Sequence, residues 1–582
     1  MSARSSRPGW NGSAAQRPLR KTFASRLVAG DDPKREPDPR SLDPNAIYPA
    51  NRRETLPVAM MALTMAFLAL AVSAKQQYMM LYGDAVAHLG IARRIVDNNA
   101  PGLVQLGSPW LPLPHLLMVP LVWKMQWWQD GMAGAWPSMI CFVLGVVGVY
   151  RLSRRMMPAI WAFVAAAFFG LNANLLYLST TAMNEPLFLA LLVWIVLVVC
   201  ELLDALSEGN VRRVTNHLVP LGMLQLAAVM TRYDGWILAT VVWCVIAWKL
   251  ARRPGMLRQS VPGFVIFTLL TLAGPLSWFA YNHVFGNDWL DFIRGPYSAK
   301  EIDRRTSPPG SHHYFGWHNP AYSLMLYMRT AQVDAAAWET GWLIAAASLW
   351  ATVNAWRAKV ERPTLLLWLP LPFYVYSISY GSVPIFIPQL YPHSFYNSRY
   401  GMEMLPAFAI FTAYSLYLLA KLLRDRQPVV ARILQPVVLS LCVLNLLLML
   451  HAIPLVLKEA MVNSRSRLSL EIPLAEQLAL VPRGEPIMID NSEYVGALQM
   501  AGIPLKETIG PSDYYRWRDG IKDPAHRAAL IISSEGDAIS KVLGGNPAGL
   551  TEMTIMCTTG KPCLRVWRSD VYVDVSIKKG TD

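Results

Sequence analysis

Charged residues are scarce in this chain. They make up 16 % of its 582 residues, whereas about a quarter of the residues in an average soluble protein are charged. The stretch from Thr55 to Ala74 contains no ionisable side chain, and a helix of that length can cross a hydrocarbon core about 30 Å thick. Further apolar runs follow along the chain. The scarcity of charge therefore argues against a large soluble enzyme and predicts a polytopic, α-helical membrane protein.

Acidic residues are too few to balance the basic ones, and the net charge is +14. Such an excess could indicate a nucleic-acid-binding protein, but the location of the basic residues argues otherwise. They concentrate in residues 1–54 and in short loops between the apolar runs. Basic loops mark the cytoplasmic side of a membrane, because lysine and arginine resist translocation. We therefore expect membrane lipids as partners and no nucleic acid.

The apolar runs predict about eleven transmembrane helices. The basic loops then place the N-terminus in the cytoplasm and the C-terminus outside it, as in a multi-pass protein of the plasma (inner) membrane. The chain divides into a basic, disordered cytoplasmic tail (1–54), a transmembrane module (55–455) and an extracytoplasmic domain (456–582). The predicted spans are residues 55–74, 135–150, 158–178, 186–203, 216–231, 235–251, 260–282, 336–355, 363–380, 403–421 and 432–455.

The C-terminal domain shows a different pattern. After residue 455, short apolar strand-like runs alternate with helical ones, which predicts a small α/β domain. The chain has only six cysteines, and no cysteine or histidine spacing typical of a metal site is present. Cys557 and Cys563 bracket a short turn in this domain. Outside the cytosol such a pair can form a disulfide, provided that the geometry of the turn allows it.

The most informative polar residues follow the first span, in the segment 82–96. Its apolar side chains recur at helical spacing, which predicts an amphipathic helix in the membrane interface. Asp84 lies at the start of this helix. There a carboxylate can cap the exposed backbone N–H groups, or it can serve a functional site. The residues alone leave both roles open.

A second carboxylate, Glu185, is predicted at the outer start of the fourth span. Helix capping by Asn184, with Pro186 in the first turn, explains this segment without any function. Alternatively, Glu185 faces the same cavity as Asp84. The two carboxylates could then position a nucleophile or share a divalent cation, because hard cations prefer oxygen ligands.

Two further segments carry charged residues near predicted helix ends. Residues 231–235, which include Arg232 and Asp234, are expected to form a turn at the outer membrane face, because ions inside a membrane are costly. The alternative is a broken, buried helix pair in which the ions pair with each other. Arg399, beside Tyr400 at the outer end of the tenth span, suits a phosphate because a guanidinium offers paired donors. Taken alone, Arg399 is better explained as an interfacial anchor of the helix end.

Together these segments resemble the GT-C superfamily of polytopic glycosyltransferases, in particular the protein O-mannosyltransferases and the lipid A aminoarabinose transferases. The resemblance covers about residues 55–582 and depends on the order of the motifs and on their shared membrane side. The motifs are Tyr-Gly-Asp-Ala-Val-Ala-His-Leu, Pro-Trp-Leu-Pro-Leu-Pro-His, Met-Asn-Glu-Pro-Leu-Phe, Thr-Arg-Tyr-Asp-Gly-Trp and Asn-Ser-Arg-Tyr-Gly-Met-Glu-Met-Leu-Pro.

The resemblance implies an enzyme that moves a sugar from a polyprenyl-phosphate carrier to an extracytoplasmic lipid, glycan or protein, with inversion at the anomeric carbon. It implies that Asp84 is the general base and that Glu185 is the second acid of the family pattern. Many members have a second acid directly after the first, whereas Ala85 follows Asp84 here. This difference weighs against a metal-dependent mechanism, so a divalent cation is not an expected requirement but stays an open alternative. The expected phosphate contacts are Arg399, Tyr400 and Arg93, and the expected cavity residues are His88, Arg232 and Asp234.

A transporter or flippase is the main alternative, because it also needs many spans. Transporters typically contain internal repeats and ionisable groups near the bilayer midplane. No repeat is evident in this sequence, and the candidate acids are predicted at the outer ends of spans. These two features favour the enzyme.

Overall fold

The computed structural model describes residues 47, 49–307, 313–424, 426–545, 547–558 and 561–573. Most of the basic tail predicted for residues 1–54 lies outside the described residues. The described part of the chain forms a helical bundle followed by a small sheet domain. This architecture confirms the predicted fold class.

The bundle contains nineteen α-helices among the described residues. The first ten are α1 (Arg52–Lys75), α2 (Gly83–Arg94), α3 (Leu113–Val122), α4 (Met125–Gln129), α5 (Met132–Arg154), α6 (Ala159–Gly170), α7 (Ala173–Leu178), α8 (Glu185–Ser207), α9 (Val211–Val229) and α10 (Asp234–Ala251). The others are α11 (Pro254–Gly286), α12 (Asp291–Arg294), α13 (Ala299–Thr306), α14 (Pro320–Ala335), α15 (Thr340–Ala358), α16 (Pro370–Tyr380), α17 (Leu405–Arg424), α18 (Pro428–His451) and α19 (Leu455–Ala479).

Seven helical segments in the described part of the chain are long and apolar enough to cross a membrane. Each predicted span coincides with at least one helix, but the count of eleven spans is not confirmed. The predicted span 158–178 is broken into α6 and α7, and the predicted span 363–380 consists of a 3₁₀-helix (Arg362–Trp368) and the short α16. A break in the helical backbone does not change the mean hydropathy of an apolar run. The spans were predicted from apolar runs, so these helix breaks could not be predicted.

The helix surfaces fit a membrane protein. The central helix α8 is buried on nearly all sides. By contrast, the outer helices α1, α11 and α18 expose large apolar side chains such as Phe67, Leu269 and Leu441. Soluble monomers rarely expose extended apolar surfaces. These faces therefore suit contact with lipid.

Ion pairs join the helices at the bundle end where α5 and α8 finish. Arg154 Nε lies 3.0 Å from Glu54 Oε2. Arg155 Nη2 lies 2.6 Å from Asp204 Oδ2 and 2.9 Å from Glu361 Oε1. These arginines belong to the basic loops from which the topology was predicted. The candidate site lies at the opposite end, where α8 begins.

The C-terminal domain is built on a five-stranded sheet with the order β2-β1-β3-β5-β4. The strands are β1 (Ile487–Met488), β2 (Thr508–Ile509), β3 (Leu530–Ser534), β4 (Leu550–Met556) and β5 (Leu564–Ser569). The inner strand β3 is buried along its whole length and pairs in parallel with β1 and antiparallel with β5. A disulfide joins Cys557 to Cys563 between β4 and β5. Its helices are α20 (Val495–Ala501), α21 (Tyr514–Gly520), α22 (Pro524–Arg527) and α23 (Ala538–Leu543).

The loop after α2 binds the C-terminal domain to the bundle. Asn99 donates to the carbonyl oxygen of Thr508 at 3.0 Å, and Gln105 donates to the carbonyl oxygen of Ser512 at 3.0 Å. The Asp97 carboxylate accepts from the backbone N–H of Leu505 at 3.2 Å. The domain is thereby held against α2, which also carries Asp84.

Candidate active site

Arg399 lies at the centre of a cluster that unites segments distant in the sequence. It belongs to the 3₁₀-helix Ser398–Met404, which leads into α17. Its Nη2 is 2.5 Å from Asp84 Oδ2, and its Nε is 2.9 Å from Glu185 Oε1. The structure thus brings together the three residues that the sequence placed beside the first, fourth and tenth spans.

Asp84 does not cap α2. The N-cap of this helix is Tyr82, without a side-chain hydrogen bond to the helix. The Asp84 carboxylate instead binds Arg399, and 38 % of its side chain is exposed. Asp84 is therefore the most accessible acid of the cluster, and its observed partner is an arginine.

Glu185 is bound by two arginines and is only 1 % exposed. Its Oε1 accepts from Arg399 and also lies 3.3 Å from Arg232 Nη1. The neighbouring Asn184 occupies the expected N-cap position of α8, but its side chain makes no hydrogen bond to the helix; its side-chain oxygen instead accepts from Arg232 at 2.8 Å. Buried charges persist only when they are well paired, so this arrangement fixes both guanidinium groups.

Arg232 extends the ion-pair cluster to α10 and to the far end of the 3₁₀-helix Ser398–Met404. Its Nε lies 3.2 Å from Asp234 Oδ2, and its Nη2 lies 2.8 Å from Glu403 Oε1. The Tyr374 hydroxyl donates to the same Glu403 oxygen at 2.7 Å. The expected turn between α9 and α10 is present. Its charged side chains are nevertheless buried and paired, which agrees with the alternative of a broken helix pair whose ions pair with each other.

Glu459 of α19 holds the segment that carries Arg399. Its carboxylate accepts from the backbone N–H groups of Asn397 at 3.0 Å and Ser398 at 2.8 Å, and it also accepts from the Ser398 hydroxyl. It lies 3.8 Å from Arg399 Nη1. Sequence reasoning missed Glu459, since it is an isolated acid after the last predicted span and belongs to no motif.

Two tyrosine rings enclose the Arg399 guanidinium. Its Cζ lies 5.0 Å from the ring centroid of Tyr82 and 4.9 Å from that of Tyr400. The Arg232 Cζ lies 5.0 Å from the same Tyr400 ring. These distances permit cation–π attraction. Burial, followed by the nearby Glu459 carboxylate, raises the pKa of the Tyr82 hydroxyl well above its usual value.

A cavity of about 2410 Å³ opens beside this cluster. It extends from α2 along α10 and α11 to the C-terminal domain, and aromatic side chains make up much of its wall. A typical pocket for a drug-sized ligand is about 300–1,000 Å³, so this cavity can hold a larger amphiphile. Three of the expected site residues line it, namely Asp84, Arg399 and Tyr400.

Other expected site residues lie behind the cavity wall. Arg232 and Asp234 are enclosed in the ion-pair cluster and are not part of the cavity lining. His88 Nδ1 lies 2.8 Å from His115 Nε2, and the His88 ring packs on Trp110. Burial lowers the pKa of His88 to about 3, and the positive charges of Arg399 and Arg232 act in the same direction. His88 is therefore a neutral packing residue at physiological pH.

Arg93, an expected phosphate contact, does not face the cavity. Its Nε donates to Asp97 Oδ2 at 2.7 Å, and its Nη1 donates to the carbonyl oxygens of Val122 and Trp123. These contacts occupy the hydrogen-bond donors of the guanidinium inside the protein. The next residue, Arg94, lines the cavity instead.

The space between Asp84 and Glu185 is filled by Arg399. A divalent cation shared by these two carboxylates would have to displace the guanidinium from both. Within the described ranges, no group of three or more histidine, cysteine, aspartate or glutamate residues is placed to hold a metal ion. Among the described residues, the Arg399 guanidinium is the positive charge that lies against both carboxylates.

Comparison with known proteins identifies the fold. No family model and no curated protein matches the chain. The crystal structure of ArnT from Cupriavidus metallidurans bound to undecaprenyl phosphate is similar over 89 % of this chain and 98 % of that chain, with 15 % sequence identity and a TM-score of 0.55. Its apo state is similar over 87 % of this chain and 98 % of that chain, with 14 % identity and a TM-score of 0.50. The chain therefore has the GT-C fold, and the resemblance that the motifs indicated is confirmed at the level of the fold.

Proposed function

We propose that the chain is an integral-membrane glycosyltransferase that moves a sugar from a polyprenyl-phosphate carrier to an extracytoplasmic acceptor. One observation carries this proposal: Asp84, a partly exposed carboxylate paired with the buried Arg399, lies on the wall of a large amphipathic cavity. The fold adds support, because the similar ArnT structure contains undecaprenyl phosphate.

The chemistry needs one base and one positive charge. The bond between the anomeric carbon and the carrier phosphate oxygen breaks, and a bond from that carbon to the acceptor oxygen forms. Asp84 takes the proton of the acceptor hydroxyl as the new bond forms. The carrier leaves as a phosphate, whose growing negative charge a positioned arginine such as Arg399 can stabilise. A single displacement of this kind inverts the anomeric carbon.

Arg399 is placed to bind first the Asp84 carboxylate and then the carrier phosphate. Its Nε is fixed by Glu185, and Glu459 fixes the backbone next to it. Its Nη2 binds Asp84 on the cavity side. A carrier phosphate that reaches Arg399 competes for this group, which frees the Asp84 carboxylate to receive a proton. Tyr400 lines the cavity beside Arg399 and completes the proposed phosphate contact.

Glu185 acts as a positioning residue in this proposal. It is 1 % exposed, it is not part of the cavity lining, and its Oε1 lies within reach of both site arginines. It therefore cannot meet an acceptor hydroxyl without displacement of Arg399. Its contribution is to keep the two guanidinium groups in place.

The cavity wall suits a prenyl carrier. Ile237 of α10 and Phe279 and Phe285 of α11 line it with apolar surface, and Ile237 and Phe285 are exposed. Burial of apolar area is worth about 25 cal/mol per Å², so a long isoprenoid gains substantial affinity from such a wall. The lipid-facing location of α11 lets the carrier enter from the membrane.

A turnover assay tests the proposal. The purified protein would receive undecaprenyl-phosphate-linked hexoses and pentoses, together with lipid, glycan and protein fractions as acceptors, and mass spectrometry would detect new glycosidic bonds. We expect release of undecaprenyl phosphate coupled to glycosylation of one acceptor class. Movement of the intact lipid-linked sugar across liposomes, without cleavage of its sugar–phosphate bond, would establish the transporter alternative instead.

A further inference from the structure

Arg94 is a cavity residue that the proposed reaction does not use. It is the last residue of α2, ten residues after Asp84, and both side chains line the same cavity. With a rise of about 1.5 Å per residue, the two positions are about 15 Å apart along the helix axis. Arg94 therefore lies at the end of the cavity that the C-terminal domain closes.

The guanidinium of Arg94 is only partly satisfied. Its Nη1 donates to the Ser492 hydroxyl of the C-terminal domain at 2.9 Å, whereas its buried Nε has no hydrogen-bond partner in the described part of the chain. No carboxylate of the described residues forms an ion pair with it. The nearby Asp490 carboxylate instead accepts from the backbone N–H groups of Ser492 and Glu493.

In this respect Arg94 differs from the arginines next to it and in the candidate site. The neighbouring Arg93 is neutralised by Asp97, and the site arginines Arg232 and Arg399 each contact two or more carboxylates. A partly buried charge without a direct ion pair is costly. Burial lowers the pKa of Arg94 below its usual value, although the nearby Asp490 carboxylate acts in the opposite direction. A bound anion would remove this cost.

We propose that Arg94, with the hydroxyl of Ser492, forms a second anion-binding subsite that takes a phosphate or carboxylate group of the acceptor. This assignment rests on the proposed function, because it assumes that Asp84 receives the proton of the same acceptor. The guanidinium fork matches either anion, and Ser492 lines the same cavity as Arg94. The acceptor class is thus an anionic molecule whose charged group lies toward the C-terminal domain from the hydroxyl that is glycosylated.

The carrier phosphate is the other possible source of the same chemistry. In a single displacement, the acceptor oxygen, the anomeric carbon and the phosphate oxygen follow one another directly. The reacting phosphate therefore stays near the base and fits Arg399 better than Arg94. The subsite is consequently assigned to the acceptor, and the experiment separates the two sources.

Calorimetric titration of the full-length protein in detergent tests the assignment without any transfer reaction. Undecaprenyl phosphate is first added to saturation, and inorganic phosphate is then titrated as the probe. The variants are Arg94→Met, Arg94→Lys and, as a matched loss of charge outside the cavity, Lys541→Met. We expect wild type and Lys541→Met to bind phosphate equally, and Arg94→Met to bind it roughly tenfold or more weakly. All variants should bind undecaprenyl phosphate as the wild type does.

Four results would overturn the proposal. Equal phosphate affinity in Arg94→Met and wild type would show that Arg94 forms no subsite. Weaker binding of undecaprenyl phosphate by Arg94→Met, or loss of phosphate binding in the saturated wild type, would assign Arg94 to the carrier. If Arg94→Met does not fold, Arg94→Lys decides, since loss of the fork should still weaken phosphate binding and unchanged affinity contradicts the subsite. If undecaprenyl phosphate binds no variant, the proposed function fails, and the phosphate titration alone still tests Arg94.

Discussion

Substitutions of single residues in the cluster differ in how well they separate an effect on catalysis from an effect on stability. Glu185 neutralises two buried arginines, and breaking a buried ion pair typically costs about 3–5 kcal/mol of stability. A Glu185→Gln variant would therefore combine structural damage with any chemical effect. Asp84 is 38 % exposed, so its ion pair contributes less to stability. Its substitution consequently reports more directly on chemistry.

The buried histidine pair makes a prediction about pH and stability. Burial lowers the pKa of His88 to about 3 and that of His115 well below its usual value. Between about pH 6.5 and pH 3 the unfolded state thus binds more protons than the native state, so stability falls as the pH falls through this window. Each histidine contributes up to about 1.4 kcal/mol per pH unit.

A double variant isolates this contribution. We expect His88→Phe combined with His115→Phe to lose less stability than the wild type between pH 6.5 and pH 4.5. Thermal unfolding of both proteins in detergent measures the difference, because the remaining titratable groups are common to both. Parallel stability curves would show that the pair does not stay neutral in the native state.

The neighbouring arginines of α2 show where sequence reasoning stops at the residue scale. Arg93 and Arg94 are adjacent, so they point about 100° apart around the helix. Periodicity indicates that the helix is amphipathic, but not which polar face meets a cavity formed by distant segments. Sequence analysis selected Arg93, and the structure places Arg94 on the cavity. Glu459 was missed for the same reason, because its partners are backbone groups about 60 residues away.

At the scale of elements, the 3₁₀-helix Ser398–Met404 needs a glycine at its centre. A Cβ atom on Gly401 would lie 2.8 Å from the backbone nitrogen of Ala331 and 2.5 Å from Asp334 Oδ2. Backbone atoms of the adjoining α14 cannot yield easily, and overpacking of this kind typically costs about 1–3 kcal/mol. The glycine thus permits the close contact that sets the position of Arg399.

We expect Gly401→Ala to lower the unfolding temperature and to reduce sugar transfer together. Gly83→Ala is the matched control, because a Cβ atom on Gly83 would meet nothing within 4 Å, and Gly83 lies beside Asp84. Unfolding temperature and transfer would be measured for both variants. Equal behaviour of the two would contradict the packing account of the 3₁₀-helix.

The sequence predicted the elements better than their breaks. Asp84, Glu185 and Arg399 each lie next to the end of an apolar run, and the common membrane side of these ends predicted their approach. The helix breaks at Leu171–Asn172 and before α16 depend on packing against other helices. The small sheet domain was predicted from its alternating runs, although the two-residue strand β2 is too short to leave a pattern.

At the scale of the whole molecule, the bundle has two chemically different ends. One end carries the ion pairs of the basic loops, and the other carries the candidate site and the C-terminal domain. Because basic loops favour the cytoplasm, we propose that the candidate site and residues 456–582 lie outside the cytoplasm.

Cysteine labelling tests this orientation. Lys541→Cys on α23 and Ser207→Cys at the end of α8 would be compared in a Cys244→Ala background, since Cys244 is the exposed free cysteine of the described residues. We expect a membrane-impermeant maleimide to label the Lys541→Cys protein in intact cells and the Ser207→Cys protein only after permeabilisation. The reverse pattern would place the candidate site in the cytoplasm and exclude the proposed extracytoplasmic transfer.

The central claim is that Asp84 removes the proton of the acceptor in a sugar transfer, and the most direct measurement is transfer by Asp84→Asn. The amide has nearly the same volume and can still accept from Arg399, so unfolding temperature and binding of undecaprenyl phosphate should stay close to wild type. Transfer should fall by about 10²–10⁴-fold, as is typical when a general base is lost. Asp519→Asn, an exposed acid of the C-terminal domain, should transfer normally. Near-normal transfer by Asp84→Asn would contradict the account and exclude Asp84 as the base.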